Sequence, residues 1–355
     1  MCQPAKKETR SHEDEAIRFP LERGVNVSHW LSQSKARGED RKNFFTKADM
    51  DFIAEIGYDH IRLPIDEEQM WDEAGNKDAE AFALLHDAIG WANDNELKVI
   101  VDLHILRSHH FNSTEKPLWT DPGARERFYQ CWRDLSSELA KHPNELVAYE
   151  LMNEPVADKA EDWNRLIAKA TEAIRATEPQ RFVVIGSNRW QSADTFDELE
   201  VPKNDPYIIL SFHFYEPFLL THHQAGWTDI GDYHGPVKYP GLLVEEAQLE
   251  AIADTILREK IESRNGLYDK TRLEAMMQKP IQKAKELNLQ LYCGEWGCMP
   301  TVPRESLLAW YDDMRSILEK HDIGWTNWDY KGGFGIIDRN RDNQSIEDLI
   351  EVLMK

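Results

Sequence analysis

Cysteine is scarce and unpaired in this chain. Its 355 residues hold only Cys2, Cys131, Cys293 and Cys298, with no CxxC spacing. That argues against a zinc cluster or a thioredoxin-like redox centre and leaves buried or free thiols. Positive charge is short as well. The 42 Lys and Arg residues face 64 Asp and Glu, a formal charge of -22, which repels phosphate backbones and anionic membrane surfaces and excludes nucleic acid as the expected partner. No run approaches the ~18 apolar residues of a membrane helix, and no Ser/Thr/Pro linker, repeat or low-complexity block marks a second domain. The expectation is a tail over 1–20 followed by one domain over 21–355, expected to be monomeric.

The opening MCQPAKKETRSHEDEAIRFP lacks the apolar core of a secretory signal, so the chain as written would stay in the cytoplasm. A cysteine directly after Met1, followed by a polar tether, instead resembles the start of a mature bacterial lipoprotein. The alternative expectation is therefore a secreted, cell-surface or periplasmic protein, with membrane contact only through lipid on Cys2.

At 41% hydrophobic composition the chain can bury a large core. Short β-rich segments alternate with longer helical patterns: GVNVS (24–28), HIRLPI (60–65), KVIVDLH (98–104), LVAYELMNE (146–154), RFVVIGSN (181–188), YIILSFHFY (207–215), LQLYCGEWG (289–297) and GWTNWDY (324–330). Several are continuous Val/Ile/Leu runs, as strands covered on both faces are. Between them, Thr46 with Asp49 spells a capping-box start and Gly57 a stop. The patterns at 124–141, 162–177 and 305–320 place Trp and Tyr on core-facing stripes. Eight such units predict an α/β (β/α)8 barrel. One interval, about 75 residues after the sixth segment, is too long for a simple connection, and within it the aromatic and glycine-rich stretch EPFLLTHHQAGWTDIGDYHGPVKYPG (216–241) reads as an extended loop over one end.

Active sites of such barrels form at the carboxyl ends of the strands. The segment ends collect Asn26, His29, Arg62, Asp102, His104, Asn153, Glu154, Asn188, Trp190, His213, Tyr215, Glu295, Trp296, Asn327 and Trp328. Two glutamates stand out. Pro155 has no N–H for a ladder and so ends the fourth segment beside Glu154. Gly294 and Gly297 flank Glu295 and allow a sharp exit from the seventh. Two carboxyl groups across a barrel mouth suit glycosidic hydrolysis, one protonated to assist the leaving oxygen and the other ionised to attack. A gap of ~5 to 5.5 Å gives retention and roughly 6.5 to 9.5 Å gives inversion. Glu150 shares the parity of Glu154 and is read as a buried acid needing a partner such as Arg62. Trp30, Trp119, Trp190, Trp227 and Trp296 fall in or near segment-end loops and are candidates for sugar stacking. The histidine pairs 109–110 and 222–223 lack a carboxylate at ligand spacing, so no metal is expected and the pairs are read as solvated or loop-ordering.

The strings HIRLP, VDLH, ELMNEP, HFY, CGEWG and WTNWDY, in this order and strand context, resemble glycoside hydrolase family 5 over nearly the whole chain after residue 20. The resemblance implies a retaining mechanism, with Glu154 as acid/base and Glu295 as nucleophile. It also implies that Asn153 holds the sugar 2-hydroxyl, that Arg62 keeps Glu295 ionised while Tyr215 orients it from the other side, and that His213 lies near Glu154; physically, both Arg62 and Tyr215 favour charge on Glu295. His104 would touch sugar hydroxyls and Trp328 would floor the reacting ring. The expected activity is cofactor-free cleavage of β-1,4-glucan in a polysaccharide or oligosaccharide. The alternatives are β-mannan, xyloglucan, β-1,3-glucan or terminal attack, and, outside enzymes, a non-catalytic carbohydrate-binding barrel.

Overall fold

A computed structural model describes residues 17–338 and 343–355. Cys2 and most of the proposed tail lie outside the described residues. Eight parallel strands close into a barrel in which each pairs with its chain neighbours: β1 (Arg23–Asn26), β2 (His60–Asp66), β3 (Lys98–Ile105), β4 (Val147–Glu150), β5 (Val183–Gly186), β6 (Ile208–Phe214), β7 (Gln290–Trp296) and β8 (Gly324–Asn327). All eight predicted segments become strands, although four of them are trimmed to four residues. Closure is made by β1, whose Val25 is paired with Ile61 on one side and Asn327 on the other.

The helices form as their patterns require. Thr46 N–H donates to Asp49 at 2.8 Å and Gly57 ends that helix at φ 106°. Asp121 caps Pro122–Leu139, which buries Phe128, Trp132 and Leu135 against the barrel; Arg304–Lys320 buries Trp310, Tyr311 and Met314. The tryptophans on these stripes are core, as their spacing predicts.

Residues inside the cylinder form a layer of their own. Ile100, Ala148, Val184, Ile209 and Tyr292 meet at its base, plugged by Phe19 and Leu21. Two residues further along β1–β4, the inward positions are polar: Asn26, Arg62, Asp102 and Glu150, all buried. The apolar base thus supports a charged layer directly beneath the mouth.

Apart from the turn Phe218–Thr221, the stretch 216–240 is without helix or strand, the extended loop expected, but the rest of the long interval is folded. It holds short helices at Glu246–Glu250, Thr255–Arg264 and Lys270–Met276, plus an antiparallel ribbon pairing Gly241 with Tyr268. Hydrophobic spacing was too short in each piece to announce it. Among the described residues no helix is long and apolar enough to cross a membrane.

Candidate functional site

A cavity of about 1160 Å³ opens at the carboxyl ends of the strands, and Glu154, Glu295, Asn153, His104, His213, Tyr215 and Trp328 all line it. Arg62 lies just below, fully buried, and organises the charged layer. Its guanidinium reaches Glu150 at 2.7 Å, Glu295 at 2.7 Å and Asp102 at 3.0 Å, and donates to Asn26 and Asn153 at 2.9 Å each. The planar fork is what permits so many simultaneous contacts. Glu150 has the partner that its buried position demanded.

A bulge aims Glu295. Along β6 and β7, Phe212 pairs with Cys293 but His213 pairs with Glu295, and β8 skips likewise between Trp325 and Asn327. The extra residue is Gly294, where an added Cβ would lie 2.9 Å from Ser211 Oγ and 3.2 Å from His213 Nε2. Simple alternation from the inward Tyr292 would send Glu295 outward; the bulge brings it into the mouth. Glu154 arrives differently. β4 ends at Glu150, and Glu154 takes a left-handed φ of 45°, a conformation that costs a non-glycine residue about 1 to 3 kcal/mol and persists only where neighbours impose it.

The two carboxyl groups and His213 converge so that one ligand atom from each lies within 4.8 Å of the others. His213 Nδ1 is 3.0 Å from Glu154 Oε1, and Tyr215 O–H donates to Glu295 Oε2 at 2.9 Å. A trio this compact also has the dimensions of a cation site, but Arg62 already supplies positive charge beside Glu295.

Burial and the nearby charge of Glu295 push the Glu154 carboxyl well above its ordinary value. Burial also raises Glu295, against the opposing pull of Arg62 and the Tyr215 hydroxyl. Sequence reasoning had Arg62 and Tyr215 holding Glu295 down. Both do pull it down in the structure, but burial is the larger influence, and the asymmetry between the two acids is a stronger push on Glu154. Asp102 is driven up to about 7 by burial despite Arg62. His104, 2.7 Å from Asp102 through Nδ1, is lowered to about 3 by burial, and burial with Arg62 lowers His213 too, so both imidazoles are neutral at pH 7. With Glu154 protonated, its O–H can donate to a neutral His213 Nδ1. His104 stacks on Trp328 at 5.5 Å and 7°. His104 Nε2 and Asn153 Nδ2 have no partner among the described residues, which suits groups that meet a hydroxylated ligand.

Of the other tryptophans, Trp190 and Trp227 line the cavity and are 45% and 59% exposed. Trp30 and Trp296 do not. Trp30 is buried outside the barrel, donating Nε1–H to the Arg41 carbonyl at 2.7 Å and packing on Phe45. Trp296 follows the inward Glu295 and so faces outward, among Trp310, Tyr311 and Trp325. Trp119 packs edge-on to His109 and is not among the lining residues. The histidine pairs mostly order loops: His109 accepts from Val156 N–H and His223 lies 2.9 Å from the Gly235 carbonyl, whereas His110 and His222 reach the wall.

Sequence reasoning overlooked Phe111, Phe334 and Gln191. Phe111 and Phe334 line the cavity from loops with no periodic signal. Gln191 lies behind it. The folded interval after β6 contributes Phe218, Trp227, Arg264 and Tyr268 to one wall.

The model of the cellulase family, glycosyl hydrolase family 5, matches residues 22–333. Endoglucanase C of Acetivibrio thermocellus is 31% identical over 343 residues, 94% of this chain and 97% of the relative. Cellodextrinase A of Ruminococcus flavefaciens is 27% identical over 305 residues, 85% and 83% of the two chains. Among solved structures, the cellulose synthase subunit Z of Clostridioides difficile superposes with a TM-score of 0.76 at 23% identity, covering 95% of this chain and 100% of that one.

Proposed function

The chain belongs to glycosyl hydrolase family 5, and on that premise we propose that it hydrolyses β-1,4-glucan by double displacement, with Glu295 as nucleophile and Glu154 as acid/base. The observation that carries the mechanism is the approach of the two carboxyl groups, one oxygen of each within 4.8 Å of the other, which is closer to the ~5 to 5.5 Å of retaining enzymes than to the roughly 6.5 to 9.5 Å that seats a water for inversion. In the first step a Glu295 oxygen attacks the anomeric carbon, the glycosidic C–O bond breaks, and Glu154 gives its proton to the departing oxygen. The glycosyl ester cancels the charge on Glu295, so Glu154 loses a group that raised its pKa and becomes the better base. It then takes a proton from water, which attacks the same carbon and frees Glu295. Asn153 and His104 are suited to hold hydroxyls of the reacting sugar, and Trp328 to support its ring.

Proton NMR during hydrolysis of cello-oligosaccharides tests this: the β-anomer should appear first, and an α-anomer as first product would sink the mechanism. Glu295→Ala should abolish turnover while leaving oligosaccharide binding, and chelators should leave the rate unchanged. A panel of carboxymethyl cellulose, mixed-linkage glucan, mannan and xyloglucan tests the substrate. The wall supplied by the interval after β6 favours a second reading within this class, preference for short chains or chain ends. Slow viscosity loss relative to new reducing ends would support it.

A further inference from the structure

Gln191 stands behind Glu154, fully buried and outside the machinery described so far. We propose that Gln191 is a positioning residue that holds Glu154 in its strained, productive backbone conformation and couples it to the Arg62 network; this rests on the reading of Glu154 as acid/base.

The side-chain amide makes two bonds. Its Oε1 accepts from the Glu154 N–H at 3.1 Å, and its Nε2 donates to Glu150 Oε1 at 3.2 Å. Glu150 is bound through both carboxylate oxygens to Arg62, at 2.7 and 3.0 Å. An ionised carboxylate only accepts, so it must face the amide NH2, which leaves the amide oxygen for Glu154. The orientation of Gln191 is thereby set by the same cation that contacts Glu295. One continuous chain of hydrogen bonds links the Arg62 guanidinium, which contacts the nucleophile, to the backbone of the acid.

Both ends of this bridge are conformationally unusual. Glu154 has φ 45°, and Arg189, Trp190 and Gln191 have φ values of 57°, 60° and 52°. Three successive left-handed non-glycine residues are rare because each crowds its Cβ against the backbone. The segments are clasped beyond the amide as well. Trp190 N–H donates to the Pro155 carbonyl at 3.2 Å, and the Asn188 amide accepts from Ala157 N–H at 2.8 Å and donates to the Ala157 carbonyl at 2.9 Å. Gly186 completes the seat, since a Cβ there would lie 2.4 Å from Gln191 Nε2 and 2.5 Å from its Cγ. Space was kept for this one side chain.

Leaving-group dependence separates positioning from general stability. In Gln191→Met, kcat/KM for cellotetraose should fall about a hundredfold, the effect of displacing a reacting group by about 1 Å. On 2,4-dinitrophenyl β-cellobioside, whose leaving group needs no proton, kcat/KM should fall less than about threefold while kcat and KM drop together as deglycosylation becomes limiting. Gly186→Ala, which displaces the amide without removing it, should show the same selectivity and serves if Gln191→Met does not fold. Equal losses on both substrates, or none on cellotetraose, would overturn the proposal. Glu154→Ala is the control. Azide should restore its kcat on the activated substrate as β-glycosyl azide; absence of that rescue would overturn the acid/base reading itself, and this inference with it.

Discussion

Arg62→Met should turn a balanced barrel interior into one whose stability falls steeply with pH. The guanidinium is fully buried and lies within 3.0 Å of Asp102, Glu150 and Glu295; methionine fills much of its volume but brings no charge. Removing one partner from a buried ion pair costs about 3 to 5 kcal/mol. Unfolding entropy of about 2.1 cal/mol/K per residue amounts to about 0.75 kcal/mol/K for 355 residues, so the melting temperature should drop about 4 to 7 °C near neutral pH. Burial already raises Asp102, to about 7, and Glu150, and Arg62 is the force that lowers both. Without it their folded-state values climb further above the unfolded ones. An acid that holds its proton more tightly when folded loses stability as pH rises from its unfolded value, about 4, through its folded value. Wild type loses the same contribution up to its own folded value, so the deficit against it should be small at about pH 4 and grow mainly as pH passes the wild-type folded values, about 7 for Asp102, toward about pH 8. Thermal melts followed by circular dichroism across that range decide it. A deficit constant with pH, or larger in acid, would refute the view that Arg62 neutralises these three carboxylates.

Other expectations follow from the same geometry. The pH profile of kcat/KM should be bell-shaped, its acid limb set by ionisation of Glu295 and its alkaline limb by loss of the Glu154 proton. Tyr215→Phe removes a hydrogen bond to the charged form of Glu295; such a bond is worth about 1.5 to 3 kcal/mol, so the acid limb should move about one to two units to higher pH, and an unmoved limb would contradict the role given to Tyr215. Trp227→Ala should raise KM for long oligosaccharides about two- to tenfold, the loss of one aromatic contact, with kcat little changed. Trp30→Ala should instead cost about 3 to 5 kcal/mol of stability, read by denaturant titration, and leave KM unaltered.

Much of the fold was legible because local chemistry and period speak directly. Eight apolar β-rich segments alternate with helical stripes, and the Thr46–Asp49 start and Gly57 stop need only local geometry. The strand-end residues gathered at one mouth for the same reason, since parallel strands all present their carboxyl ends on one side. Glu150 could be paired with Arg62 in advance, because a buried charge at that parity had to have a cation.

What the chain alone determined, then, was the barrel and the types of group at its rim. Which way each side chain points was decided by the closed sheet. Trp30 and Trp296 read as strand-end aromatics, yet burial on the outer face claimed both, and the Gly294 bulge, visible only in the pairing with β6 and β8, turns Glu295 inward. The same holds for Gln191, for the folded interval after β6, and for the balance of burial against Arg62 at Glu295. Each depends on what lies across space, and desolvation in particular has no local signature because it measures everything that surrounds a group at once.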